Sequence, residues 1–284
     1  SRRLGLPQPS MAKNGVGMMF ASATDSPDML AMALDTQERQ QLAKEGNIPG
    51  TKLSVWAQGF YLYAGENSVG GDQRTGFSSN TGGGQVGVDY WITDNLLAGV
   101  AFTFTGTHVD FDGAGGDSDI YGYRVGPYLS WEPLERLWVD FSATYALNTI
   151  DVNRTVAIAG LPPQTASANY LGHDINVYLG AEYDVLPQPE WYVAPLIGMN
   201  YLWFYQDAFT ESGAGGANLS VDSQNTNSLD LRVGGRFAWI GQFSDDIAII
   251  PEFMVAYRRE LLAQQNSGIG AGEDKGSVVS IGPW

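Results

Sequence analysis

Along most of this chain, apolar and polar residues trade places one by one. In the stretch LDLRVGGRFAW at 229–239, Leu229, Leu231, Val233, Phe237 and Trp239 share one parity, and Asp230, Arg232 and Arg236 share the other. Successive side chains of a strand point to opposite faces, so this pattern describes a ribbon with one greasy side and one charged side. About nine long segments repeat it, at 53–65, 83–93, 96–109, 119–132, 136–150, 169–186, 190–207, 226–241 and 244–261. Each is near or above the roughly 9–11 residues with which a tilted strand crosses a bilayer.

The connections alternate in size. TDN at 93–95, PLE at 133–135, PQPE at 187–190 and QFSD at 242–245 are short, whereas 66–82, 110–118, 151–168 and 208–225 are long and polar. Short turns on one rim and long loops on the other predict an all-β, antiparallel, up-and-down transmembrane barrel. A soluble all-β binding domain also alternates, but it has no reason to keep that rhythm.

The two faces differ in kind. One collects Val86, Val88, Tyr90 and Ile92, then Tyr121, Tyr123 and Val125, then Val139, Phe141 and Tyr145, then Ile175, Val177 and Leu179. The other collects Asp89, Arg124, Asp140, Glu182, Asp230, Arg232, Arg236, Glu252 and Arg258 among Ser, Thr and Asn. Burying that many ions in a dry core would cost several kcal/mol each unless paired, so the charged face must meet water or line a hydrated lumen. Trp56, Tyr90, Trp91, Trp131, Trp138, Trp191 and Trp239 fall toward segment ends, where an interfacial girdle is expected. The first segment leaves its facing open, with Trp56, Phe60 and Leu62 on one parity and Val55, Tyr61 and Tyr63 on the other. Pro127, Pro195 and Pro251 share the apolar parity and are expected at bulges or ladder ends, since proline donates nothing to a ladder.

Ahead of the strands, residues 1–26 read as linker, and 27–46 as a helix built of strong helix formers and stopped at Gly46. Composition supports the membrane reading: charged residues make up 16% of the 284, against roughly 25% in soluble domains. Mean hydropathy is only −0.14, and no apolar run approaches the roughly 18 residues of a membrane helix. The net charge of −16 argues against nucleic acid as a partner. Zero Cys removes disulfides and thiolate metal sites. The opening SRRLGLPQPS shows no signal peptide, so such a leader is expected to be missing or removed.

The segment FTESGAGGANLSVDSQNTNSLDLRVGGRFAW, Phe209 to Trp239, resembles the signature of the β-domain of classical autotransporters, the type V secretion translocators. VWAQGFYLYAG at 55–65, GGGQVGVDYWITDNLLAGVAF at 82–102, DIYGYRVGPYLSW at 119–131 and PEFMVAYRRE at 251–260 add to the resemblance, which covers most of 53–261. It implies a twelve-stranded outer-membrane barrel that anchors and exports an N-terminal passenger, with a helix threading the lumen. The helix at 27–46 stands where that element belongs, either in the lumen or as an ordinary linker helix. The partners implied are the lipid bilayer, the passenger, the barrel insertion machinery and periplasmic chaperones, with the barrel itself a monomer and no cofactor. Only nine complete strands are counted over 51–284, so the C-terminus is expected to be incomplete, GSVVSIGPW beginning a tenth strand. A passenger-less porin or adhesin barrel is the alternative.

Catalysis has little to stand on. His108 and His173 are the only histidines and neither lies near a nucleophile motif. GIGAGEDKG at 268–276 lacks the Lys-Ser or Lys-Thr of a phosphate loop. Asp110, Asp112, Asp117 and Asp119 in DFDGAGGDSD are the metal candidates, as Ca²⁺ ligands on a Gly-rich turn; the ordinary reading is a solvated acidic loop. Asn14 and Asn47 offer cleavage positions for passenger release without a motif marking either. The nine lumenal ions from Asp89 to Arg258 are therefore the expected functional residues, hydrating the pore and contacting the helix or a passing polypeptide.

Overall fold

A computed structural model describes residues 51–66, 76–112, 115–157, 160, 162–186, 191–239, 241–244, 247–249, 252–262, 264–265 and 277–282. The linker 1–26, the helix expected at 27–46, the loop 268–276, Asn14 and Asn47 lie outside the described residues.

The alternating segments become strands that pair with their neighbours in chain order. They are β1 (Leu53–Glu66), β2 (Phe77–Thr93), β3 (Leu96–Phe111), β4 (Gly116–Leu134), β5 (Leu137–Val156), β6 (Gln164–Tyr183) and β7 (Trp191–Gln206). Then come the short pair β8 (Phe209–Thr210) and β9 (Ser220–Val221), then β10 (Gln224–Trp239), β11 (Gly241–Ser244), β12 (Ile247–Ile249), β13 (Glu252–Glu260), β14 (Gln264–Gln265) and β15 (Ser277–Gly282). One antiparallel sheet runs β1-β2-β3-β4-β5-β6-β7-β10-β13-β15 without a crossover, and β14 pairs the upper end of β10. No helix among the described residues is long and apolar enough to cross a membrane; crossing by strands is a separate matter.

Burial is inverted relative to a soluble protein. Asp89, Asp140, Asp174, Glu182, Asp230 and Arg232 are buried, while Val88, Val100, Phe102, Val125, Leu179, Ile197, Val233 and Val255 stand exposed. A sheet curled with its charged face inward and its apolar face outward fits a lipid surround, because in water it would leave a continuous apolar belt unsatisfied. The facing of β1 resolves the same way: Ser54, Trp56, Gln58 and Phe60 are buried, and Val55, Tyr61 and Tyr63 are exposed.

Three expectations need correction. Trp131, Trp191 and Trp239 stand on the outer face with Tyr90, but Trp56 is buried within the lumen. Trp91 pairs with fully buried Leu97, and Trp138 pairs with buried Glu182, so both share the inward parity. Each lies one residue out of step with the apolar set around it, and a one-residue step on a strand is a change of face. The segment 244–261 is not one strand: β12 folds back on β11 as a separate hairpin, and only β13 joins the main sheet. The sequence between β12 and β13 contains Pro251, a residue with no N–H for a ladder.

Of the other two prolines, Pro195 adjoins a ladder end as expected, whereas Pro127 falls inside a ladder and makes no bulge. The β4–β5 ladder is interrupted at Gly126 and Pro127 without a change of register, and the β6–β7 ladder ends at Leu196, next to Pro195. Strands β5 and β6, at 20 residues each, are longer than the bilayer requires and extend beyond it on the long-loop side. There the outward positions turn polar, at Asp151, Asn153 and Asn169, so the two-face pattern fades while the ladder continues.

A charged lumenal wall and its aromatic stitch

The inward ions are tied across strands, each pair skipping the strand between or reaching to its neighbour. From β4, Arg124 places one guanidinium nitrogen 2.6 Å from Asp174 on β6 and donates another N–H to Thr144 on the intervening β5 at 2.8 Å. Asn148 donates to the same Asp174 carboxylate at 3.0 Å. Glu182 on β6 accepts the Tyr192 hydroxyl at 2.6 Å and lies 3.5 Å from Arg236 on β10. Arg258 on β13 lies 3.5 Å from Asp230 on β10. Arg232 and Arg258 are direct cross-strand partners, and like charges so placed repel unless an anion stands beside them. Asp230 is that anion.

Of the nine ions expected in the lumen, Asp89, Arg124, Asp140, Glu182, Asp230, Arg232, Arg236 and Arg258 are on the inward parity of their strands. The backbone of Glu252 pairs with Ala238 and Gly282, and its side chain lies outside the described residues. Opposite charges in such partly wet surroundings organise the wall more than they stabilise it, since desolvation offsets most of the attraction.

At the short-turn end the wall carries an aromatic stitch. Trp56 on β1 donates its indole N–H to the Tyr128 hydroxyl on β4 at 2.8 Å and to Asp89 on β2 at 3.3 Å. The Trp56 and Tyr128 rings lie 6.3 Å apart. They fit because glycines leave room: a β-carbon at Gly87 would collide with the Trp56 ring, and one at Gly99 with the Tyr128 ring and the Asp89 carboxylate. Large rings therefore lie against the wall.

On the outward side above the apolar belt, His108 on β3 lies 2.7 Å from Asp119 on β4 and 3.4 Å from Asp110, with Asn80 its register partner on β2. Asp110 and Asp117 pair across the β3–β4 ladder, and Asn153 donates to Asp117 at 3.0 Å. Asp112 is exposed in the turn. Among the described residues, no group of three or more such side chains is disposed to hold a metal ion. The hydrogen bond to Asp119, and then the charge of Asp110, hold the His108 imidazolium above its ordinary pKa of 6.5. A raised folded pKa gives stabilisation that is complete below the unfolded value and lost as pH rises through the folded one. Amide exchange at the β3–β4 tip, corrected for intrinsic rate, is expected to be slower at pH 5.5 than at about pH 8.5. His108→Gln should erase that difference.

Two functional features were not anticipated. Arg154, read as loop, is the last inward residue but one of β5; it binds Glu211 through two N–H groups, at 3.0 and 2.6 Å, and donates to the Ala217 carbonyl at 3.0 Å. Glu211 belongs to the Glu-Ser-Gly signature, but nothing in the local pattern pairs it with a residue 57 positions away. No sequence pattern marks the stitch, because a tryptophan toward a strand end fits an interfacial girdle equally well.

The comparisons agree with this architecture. The sequence profile described as Autotransporter beta-domain matches residues 55–283. Outer membrane protein B of Rickettsia prowazekii is 29% identical over 216 residues, and that of Rickettsia japonica 26% over 235, covering 73% and 80% of this chain. The matched part is only 13% and 14% of those relatives' own length. In fold, the chain is similar to the translocator domain of autotransporter NalP from Neisseria meningitidis, with TM-score 0.64 and 15% identity over 90% of this chain and 95% of that one. It is also similar to the beta domain of the Bordetella autotransporter BrkA, with TM-score 0.55 and 17% identity over 82% and 96%. A charged wall facing inward, an apolar belt facing out, short turns on one rim and a profile match over most of the chain have one conclusion: this chain belongs to the autotransporter β-domain family, as an outer-membrane translocator barrel.

Proposed function

We propose that the chain anchors an N-terminal passenger in the outer membrane and carries it across, with 51–284 as the barrel, 1–26 as linker and 27–46 as a helix seated in the lumen. The observation that supports this reading is the inverted burial, ions inside and an apolar belt outside, because a hydrated passage through lipid is what such a wall provides. Its partners in this reading are periplasmic chaperones and the barrel insertion machinery on the way in, and the passenger afterwards; the barrel works as a monomer. It performs no catalytic step. Asp89, Arg124, Asp140, Glu182, Asp230, Arg232, Arg236, Glu252 and Arg258 act mechanically, hydrating the wall and meeting the helix or a moving polypeptide with both signs of charge.

A reporter domain fused ahead of Ser1 tests this directly. Surface protease sensitivity of the reporter in intact cells is the expected result, and retention in the periplasm with the barrel correctly inserted would sink the export reading. Replacing Arg232 and Arg236 together with alanine is expected to raise single-channel conductance in planar bilayers and shift selectivity toward cations, because it leaves inward carboxylates in excess. Unchanged conductance would remove these two residues from the passage.

A further inference from the structure

The ladder between β6 and β7 stops at Gly172 and Gln206, leaving Gln164–Leu171 of β6 beyond it, while β5 stays paired along the other side. An edge of that length, standing clear of the bilayer, is a template for any extended chain. Residues 207–213 lie along it instead, and Ser220–Val221 fold back on Phe209–Thr210. Asp207 donates its N–H to the Leu171 carbonyl at 2.9 Å, and Ser167 and Ser212 exchange backbone hydrogen bonds at 2.8 and 2.9 Å. Phe209 stacks on Tyr170 with ring centroids 4.2 Å apart and planes within 6°. Gly213 takes φ +101°, and a β-carbon there would collide with the Thr165 carbonyl, so the close approach needs glycine.

One ion pair fastens this strap. Glu211 is buried, accepts both Arg154 N–H groups and the Leu219 amide at 2.8 Å, and gives its own amide to the Leu219 carbonyl. We propose that residues 207–223 form a latched edge guard, with Arg154–Glu211 as the latch. They occupy the protruding edge of β6, so that an extended polypeptide leaving the lumen cannot add to the sheet as a strand. The inference rests on the translocator reading for the identity of that polypeptide. The Arg154 guanidinium holds the Glu211 carboxyl below its ordinary range. The latch is therefore complete above the unfolded carboxylate pKa and fails as pH falls through the lower folded one.

The test uses the whole chain in detergent micelles, as wild type, Arg154→Ala, Glu211→Ala and the swap Arg154→Glu with Glu211→Arg. The probes are amide exchange over 164–171 and uptake of a synthetic peptide with the sequence of residues 207–223. The guard predicts at least tenfold faster exchange at Ser167, whose N–H the strap accepts, in either alanine variant, with the β5-facing amides of 164–171 and the lower halves of β5 and β6 unchanged. It also predicts peptide uptake by those variants alone and partial recovery of both properties in the swap. Equal exchange in all proteins, or equal peptide uptake by wild type and variants, would overturn it. Failure of the translocator reading shows elsewhere, as a wild-type barrel that displays no reporter, so the two failures are distinguishable.

Discussion

Trp56→Ala is expected to lower the stability of the barrel by roughly 3–5 kcal/mol, the range for emptying a large buried aromatic site. Two losses combine. The ring leaves the hollow made by Gly87, and the indole N–H leaves Tyr128 and Asp89, both of them buried. Because Trp56 sits on β1 and Tyr128 on β4, the side chain ties β1 to a strand with which it shares no ladder. Trp56→Phe separates the terms, keeping most of the ring and removing the donor, and should cost about 1–2 kcal/mol. Urea unfolding of the refolded protein in lipid vesicles reads both. A cost for Trp56→Ala within about 0.5 kcal/mol of zero would place Trp56 at an interface after all.

Val233→Arg is expected to cost about 2–4 kcal/mol in the same assay, the penalty for a cation at the midplane of a lipid-facing barrel wall. Val233 is about half exposed, midway between outward Phe237 toward the short-turn rim and Leu229 toward the long-loop rim. The informative comparison is Leu229→Arg, nearer the loop rim, whose cost should be smaller because the long cation can reach the headgroups. A soluble sheet with its apolar face in water would show neither the cost nor the depth dependence. Equal, near-zero effects at both positions would contradict the lipid-facing assignment.

How far the sequence could be read depended on which face a residue meets. Alternation at 229–239 located the strand, its facing and all three of its inward ions, since every residue there has only two directions to point. It failed at Trp56, Trp91 and Trp138, where an aromatic can serve either a lipid interface or a lumen notched by glycine. It also failed past the bilayer. At 151–156 and 164–168 the outward face turns polar while Val152, Val156, Ala166 and Ala168 take the inward parity, so the greasy-outside, charged-inside pattern that marks a crossing strand is gone.

The run 244–261 shows the opposite limit, where the alternation continues but the pairing does not. Hydrogen bonding chose a local hairpin of β11 and β12 over one long strand, and the sequence between β12 and β13 contains a proline. The lumenal ions were legible as a set from Asp89 to Arg258, but their partners were not. Arg124 meets Asp174 across β5, and Arg236 meets Glu182 across β7, through registers that no short window contains.

By itself, then, the order of residues determined most of the crossing strands, their two faces and the family, because each is written in local period and motif. Only the tertiary structure decided which ions pair, where Trp56 and Tyr128 meet, and that Glu211 closes on Arg154. Those contacts join residues 28 to 72 positions apart, and such distances are set by ladder register and the curl of the sheet, which no local pattern encodes.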